Sequence, residues 1–243
     1  MLGVAADLQH PLAQVRERGR EVGAGGALAD AALAVDGKHL GVADLELRVE
    51  LDLHAAFARF GPLQAQHEQD WQGPFPLPTA LASFYAQVGP LGEEINARVG
   101  RAGITVPGLD VWIPPLQRLW SQQAGYRWHG VSGERINDWP SNWLVIADRG
   151  ADPFILDLDD GRVLFSHHGA GLLDAGEITA DVPTLMAALA AAGTVYLDAG
   201  DDLYNDDDDG GIRPEHQDAA VQAVARVLGD RLQAESFIET LLD

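Results

Sequence analysis

At 243 residues the chain carries 16 basic against 37 acidic side chains, a formal net charge of −21. That balance disfavours nucleic acid and anionic lipid surfaces, and it steers cationic proteins toward the chain. Cysteine is absent, which excludes disulfides, thiolate metal sites and cysteine nucleophiles and fits a reducing, cytoplasmic setting.

The hydrophobic fraction of 47% and the mean hydropathy of −0.06 suit a chain with one substantial core. No segment is expected to span a bilayer, and MLGVAADLQHPLAQ does not read as a secretory leader. Residues 1–44 contain no Phe, Tyr or Trp; the first aromatic is Phe57. Without aromatic anchors this stretch is expected to be a weakly packed extension, broken at Gly23, Gly25 and Gly26. Leu45 to Leu53, LELRVELDL, alternates strictly and reads as an amphipathic strand. His54 to Trp71 reads as helical or irregular.

A helix is predicted within LPTALASFYAQVGP, Leu77 to Pro90. Pro78 suits its first turn, Leu81, Phe84, Tyr85 and Val88 form an apolar stripe, and Gly89-Pro90 stops it. Ile104 to Val106 and Leu109 to Ile113 are candidate strands on either side of Pro107-Gly108. Pro114-Pro115 opens a short helix with Leu116, Leu119 and Trp120.

Trp143 to Gly169, WLVIADRGADPFILDLDDGRVLFSHHG, organises the rest of the chain. Trp143 to Ala147 is apolar on both faces, as a covered central strand must be. Arg149-Gly150 supplies a turn into Phe154–Leu158, where Phe154 and Leu156 oppose Ile155 and Asp157. Asp159-Asp160-Gly161 is a hairpin signal, and Arg162–Ser166 puts Val163 and Phe165 on one face. Three short antiparallel strands result.

Beyond them, Val182 to Ala192 reads as a helix capped by Thr179 or Asp181, with Leu185, Met186 and Leu189 inward. Thr194–Leu197 reads as a last short strand, and Asp198–Gly211 as an acidic loop. Pro214 opens a helix striped by Val221, Val224 and Leu228, and a final piece carries Phe237, Ile238 and Leu241.

The Leu77–Pro90 helix, the WPSNWLVI and FILDLDDGRVLF strands, and the helix from Val182 follow one another in an order that resembles the SUKH superfamily. That superfamily includes fungal cell-wall-synthesis regulators and many bacterial toxin-immunity proteins. The resemblance spans roughly residues 70–193, about half the chain. It implies an α+β domain over 45–197, with a mixed or antiparallel sheet and helices packed against it. An acidic loop and a C-terminal helical appendage then occupy 198–243. Function by binding is also implied, without a shared catalytic motif or cofactor: an immunity protein or a regulatory adaptor. A toxin that attacks nucleic acid carries basic residues, so the expected partner is a cationic toxin domain whose surface the acidic chain covers.

The expected contact surface is the loop end of the sheet, with Asp148, Arg149, Asp152, Asp159, Asp160, His167 and His168. An alternative makes His167 or His168, with the hairpin aspartates, a metal-dependent hydrolase. Neighbouring residues on a strand face opposite ways, however, and no H-E-x-x-H or H-x-H accompanies them. Asp157, Asp159 and Asp160 read more simply as turn formers than as an acid–base pair. Ser166 beside His167 lacks a nucleophile elbow, and the sole lysine, Lys38, follows no phosphate-binding loop. Trp112, Trp120, Trp128, Trp139 and Trp143 read as packing before they read as a ligand groove. Arg127, Arg135 and Arg149 are expected to pair with Glu134, Asp138 and Asp148. A calcium-loop phase places Asn205, Asp207 and Asp209 at ligand positions, but His216 stands where the bidentate Glu belongs, which favours a solvated loop.

Overall fold

The structure is a computed structural model that describes residues 53–97, 99–167, 175–205 and 210–242. The extension at 1–44, nearly all of the alternating run 45–53, and His168, Asp207 and Asp209 lie outside the described residues. Leu53, the last residue of that run, is helical, in a turn-and-a-half at residues 53–58. Phe57 in this stretch is fully buried, edge-on to Phe60 and Phe84.

The first full helix, α1 (Thr79–Gln87), starts one residue after Pro78 and buries the predicted Leu81, Phe84 and Tyr85. Strands β1 (Glu94–Asn96) and β2 (Gly100–Arg101) form a separate small hairpin. β3 (Ile104–Val106) and β4 (Val111–Ile113) follow, then a single helical turn, α2 (Leu116–Leu119). Leu109 and Asp110 belong to the β3–β4 connection and not to the strand expected from Leu109 onward. The central strands are β5 (Trp143–Arg149), β6 (Asp152–Asp157), β7 (Val163–Phe165) and β8 (Gly176–Thr179). β3 to β8 pair in sequence order as one six-stranded antiparallel meander. The fold is α+β, with helices packed against the sheet.

Alternation along the strands decides which face receives the helices. Leu144, Ile146, Phe154, Leu156, Val163 and Phe165 join the main core with α1 and the later helices. Val145, Ile155 and Leu164 point to the other face, where Trp139 is buried and Tyr126, Ile136 and Trp143 pack against them. A register irregularity between Val145 and Ala147 rotates Ala147 onto the helix side. β5 is therefore covered on both faces, as its apolar sequence requires.

At the β6–β7 turn, Gly161 has φ +83°, a conformation that a side chain disfavours. The Gly161 and Arg162 main chains close the turn on Asp157.

The helix α3 (Val182–Ala199) is the spine of the main core. The Asp181 side chain caps it by accepting from the Thr184 amide at 2.8 Å, and Pro183 sits in its first turn. It runs straight through Thr194–Leu197, which corrects the strand expected there. Thr194 and Val195 favour a strand locally, yet Leu185, Leu189, Ala192, Gly193 and Tyr196 form one buried helical stripe, and packing overrides propensity. By length and composition α3 also qualifies as a membrane-crossing helix, contrary to expectation. Its buried stripe faces the sheet and α4.

The last helices are α4 (Pro214–Leu228) and α5 (Arg231–Leu242). Val221, Val224, Phe237, Ile238 and Leu241 belong to the same buried cluster as the sheet. Residues 212–242, expected as an appendage, are therefore part of the main core.

Candidate partner-binding site

The site is built on the β5–β6 hairpin. Gly150 and Ala151 both have positive φ, +59° and +84°, as a tight two-residue turn between twisted strands demands. Alanine carries a Cβ in that conformation, and two neighbours hold it there. The Ala151 amide donates to Asp148 Oδ1 at 3.0 Å, and the Tyr126 hydroxyl lies 3.2 Å from the Ala151 carbonyl. The same hydroxyl donates to Asp148 Oδ2. Burial first, and then the hydrogen bond to Asp148, push the Tyr126 phenol far above its ordinary value. Tyr126 therefore stays a neutral donor, and the Asp148 carboxylate accepts from this phenol and from the Ala151 amide.

A cavity of about 370 Å³ opens beside this carboxylate, lined by Trp112, Arg118, Ser121, Gln122, Ala124, Tyr126, Asp148 and Ala151. Trp112 and Asp148 are register partners on β4 and β5. The Trp112 indole donates to the Ala102 carbonyl, and the Arg118 guanidinium sits 5.0 Å over its ring while donating to the Arg101 carbonyl. Arg118 is thereby held at the Trp112 side of the cavity. Among the described residues no basic side chain is ion-paired with Asp148. Both polar atoms of the Gln122 side chain are buried without a hydrogen-bond partner.

Gln123, next in the chain, is fully buried and positions this wall. Its amide nitrogen donates to the Leu119 and Val145 carbonyls, and its amide oxygen accepts from the Val145 amide at 3.0 Å. The side chain stands in for a neighbouring strand beside β5, whose only register pair with β4 is at Asp148. Gln66 acts similarly, donating to the Pro90 carbonyl and accepting from the Leu116 amide. Neither glutamine was singled out from the sequence, because nothing in composition or spacing marks a glutamine as internal.

The six described residues of the expected contact surface do not form one surface. Asp148 lies on the Tyr126 face of the sheet. Asp152 lies between Arg149 Nη1 and His167 Nδ1, each 3.8 Å away, and His167 stands edge-on to Phe165. His167 is two residues beyond Phe165 on the strand line and shares its helix-side face.

Asp159 and Asp160 lie at the opposite end of β6, about 20 Å away along six residues of strand. In an antiparallel meander successive turns alternate between the two ends of the sheet, so the β5–β6 and β6–β7 turns cannot coincide. The hairpin aspartates are turn formers. Asn142 donates to both Asp157 and Asp159 at 2.9 Å, and Arg162 ties Asp160 to Glu177. Hydrogen bonds from the Arg162 amide, then its guanidinium, hold the Asp160 carboxyl below its usual range.

His167 neighbours Asp152 and not Asp159 or Asp160, so it does not assemble the hydrolase constellation, and His168 lies outside the described residues. No group of three metal-ligating side chains occurs among the described residues. Of the three calcium-ligand candidates only Asn205 is described, and its amide bonds the Gly211 carbonyl at 2.9 Å.

Arg127 does not pair with Glu134. It donates to the Ser141 and Trp143 carbonyls and stacks over Trp120, pinning the covering segment to β5. Burial, then the nearby Arg135, lower its pKa. Arg149 pairs with Asp152 and not Asp148. The tryptophans are packing elements: Trp120 meets Trp71, Phe75 and Trp128, and Trp139 meets Tyr126 and Trp143. Trp112 alone lines the cavity. Comparison with protein-family models, curated proteins and solved structures finds no match to the chain.

Proposed function

We propose that this chain is a non-enzymatic binding module for a cationic protein, of the immunity or adaptor kind that its SUKH-like sequence pattern implies. The partner's basic side chain enters the cavity beside Asp148. The observation that carries the reading is the Asp148 carboxylate itself, held by a phenol and a main-chain amide, ion-paired with no described basic side chain, and opening onto aromatic Trp112 and Tyr126. A lysine or arginine there gains an ion pair in a partly desolvated site together with a cation–π contact. The net charge of −21 supplies long-range attraction, which acts mainly on the association rate and weakens with salt.

The test is a kinetic titration against the product of the adjacent gene, at low and at physiological ionic strength. Binding should be at least ten-fold weaker for Asp148→Asn, and association should slow steeply as salt rises. Asp159→Lys should leave the dissociation rate unchanged, since it lies at the far end of the sheet and its side chain bonds only Asn142 there. An Asp148→Asn protein that binds as tightly as the parent would remove the reading.

A further inference from the structure

Among the described residues the meander ends at β8 with its outer edge unpaired. β8 pairs with β7 on one side, and no described residue bonds the main chain of Gly176–Thr179 on the other. Against that edge lies a cavity of about 700 Å³, between β8 and the helices α4 and α5. Phe165, Ile178, Leu228 and Phe237 give it apolar walls, and Ser236 and Thr240 of α5 leave its floor short and polar. Open edges bind extended segments by completing the ladder, with alternate side chains filling the pocket beside it. Four residues of edge, at about 3.3 Å each, accept a segment of about the same length.

We propose that β8 and this groove take an extended segment of the partner as a seventh strand, its apolar residues on Phe165 and Phe237 and its basic residues outward by Glu177. This rests on the cationic-partner reading and adds the part of the partner that is held by its main chain. Charge selects the occupant. Glu177 at the groove is already ion-paired with Arg162 at 3.1 Å, so the selection rests on the net charge of −21, which attracts a basic segment and makes two copies repel one another edge to edge.

The probe is a capped heptapeptide of alternating valine and lysine, titrated into the isotopically labelled full chain at low salt. A second peptide has the same side chains and charge but is methylated at every internal amide nitrogen. The first peptide should shift the amide signals of Gly176–Thr179 and slow exchange at those not bonded to β7. Methylation should weaken binding at least ten-fold, and so should Ser236→Trp, which fills the groove from an exposed helix position without lowering the melting temperature. Equal affinity for both peptides, with shifts confined to Tyr126, Asp148 and Ala151, would overturn the groove and leave the cationic reading standing. Binding of neither peptide would remove both. Slow exchange at the outward amides of β8 in the free monomer, or dimerisation through β8 on concentration, would give the edge to this chain itself and overturn the proposal.

Discussion

Tyr126 and Asp148 share a hydrogen bond in which a half-buried phenol donates to a carboxylate that no described basic residue is ion-paired with. The pair ties the covering segment to the β5–β6 hairpin and sets the charge at the mouth of the cavity. Tyr126→Phe should lower stability by about 1–2 kcal/mol, the range for losing a hydrogen bond to a charged group in a half-buried place. Chemical denaturation measures it. Asp148→Asn keeps one acceptor, for the Ala151 amide, and turns an NH2 toward the Tyr126 hydroxyl oxygen, which can accept from it, so it should cost less. The reverse order would contradict this account of the pair.

Gln123→Leu should be the more damaging change. It preserves apolar bulk but strips the Val145 amide and carbonyl of their partner inside the core. Two unsatisfied buried main-chain groups cost about 2–4 kcal/mol together. Urea midpoints for Gln123→Leu and Gln123→Glu distinguish lost bonds from lost volume, and an unchanged midpoint for the leucine variant would contradict the assignment.

Gly193 is where α3 approaches β3. A Cβ there would fall 2.5 Å from Val106 Cγ1 and 2.9 Å from the Phe60 ring. Alanine is the better helix former by about 1 kcal/mol. Gly193→Ala should nevertheless destabilise by about 1–3 kcal/mol, because Val106 is fully buried and has nowhere to move. Adding Val106→Ala should recover part of the loss, a coupling that thermal melts of the single and double variants detect.

Alkaline pH should unfold the protein in a way that reports its buried phenols. Burial raises the Tyr85 and Tyr196 phenols, Tyr196 to about 12, and burial with Asp148 raises Tyr126. The folded state thus holds these protons more tightly than the unfolded chain, whose value is 10.0. Their contribution is intact below pH 10; that of Tyr196 is lost as pH rises through about 12, and those of Tyr85 and Tyr126 at still higher pH. Phenolate absorbance should therefore rise for these three only together with loss of circular dichroism. Their ionisation in a still-folded protein would contradict the packing.

Much of this architecture was legible from residues alone. Alternation in Phe154–Leu156 and Val163–Phe165, with Gly161 between them, marks the β6–β7 hairpin, and Phe154, Leu156 and Phe165 are buried as expected. Asp181-Val182-Pro183 and Pro214 likewise mark helix starts that hold. The strand reading of Thr194–Leu197 failed because branched side chains speak for local preference, while Gly193 and Tyr196 answer to β3 across the core. The site was half legible. Asp148 was among the expected residues, but Tyr126 lies in a segment without periodicity whose place is set by Arg127 and Gln123 contacts to distant carbonyls. The distance between Asp148 and Asp159 was available in principle, since counting turns along a meander puts them at opposite ends.

The central claim is that Asp148 reads positive charge. Its most direct test is an amide-shift titration with two capped tripeptides, glycine–arginine–glycine and its citrulline isostere, which has nearly the same shape and no charge. The arginine peptide should move the Tyr126, Asp148 and Ala151 signals saturably, while the citrulline peptide and the Asp148→Asn protein give at least ten-fold weaker binding. Equal response to both peptides, or an undiminished response in Asp148→Asn, would contradict the account.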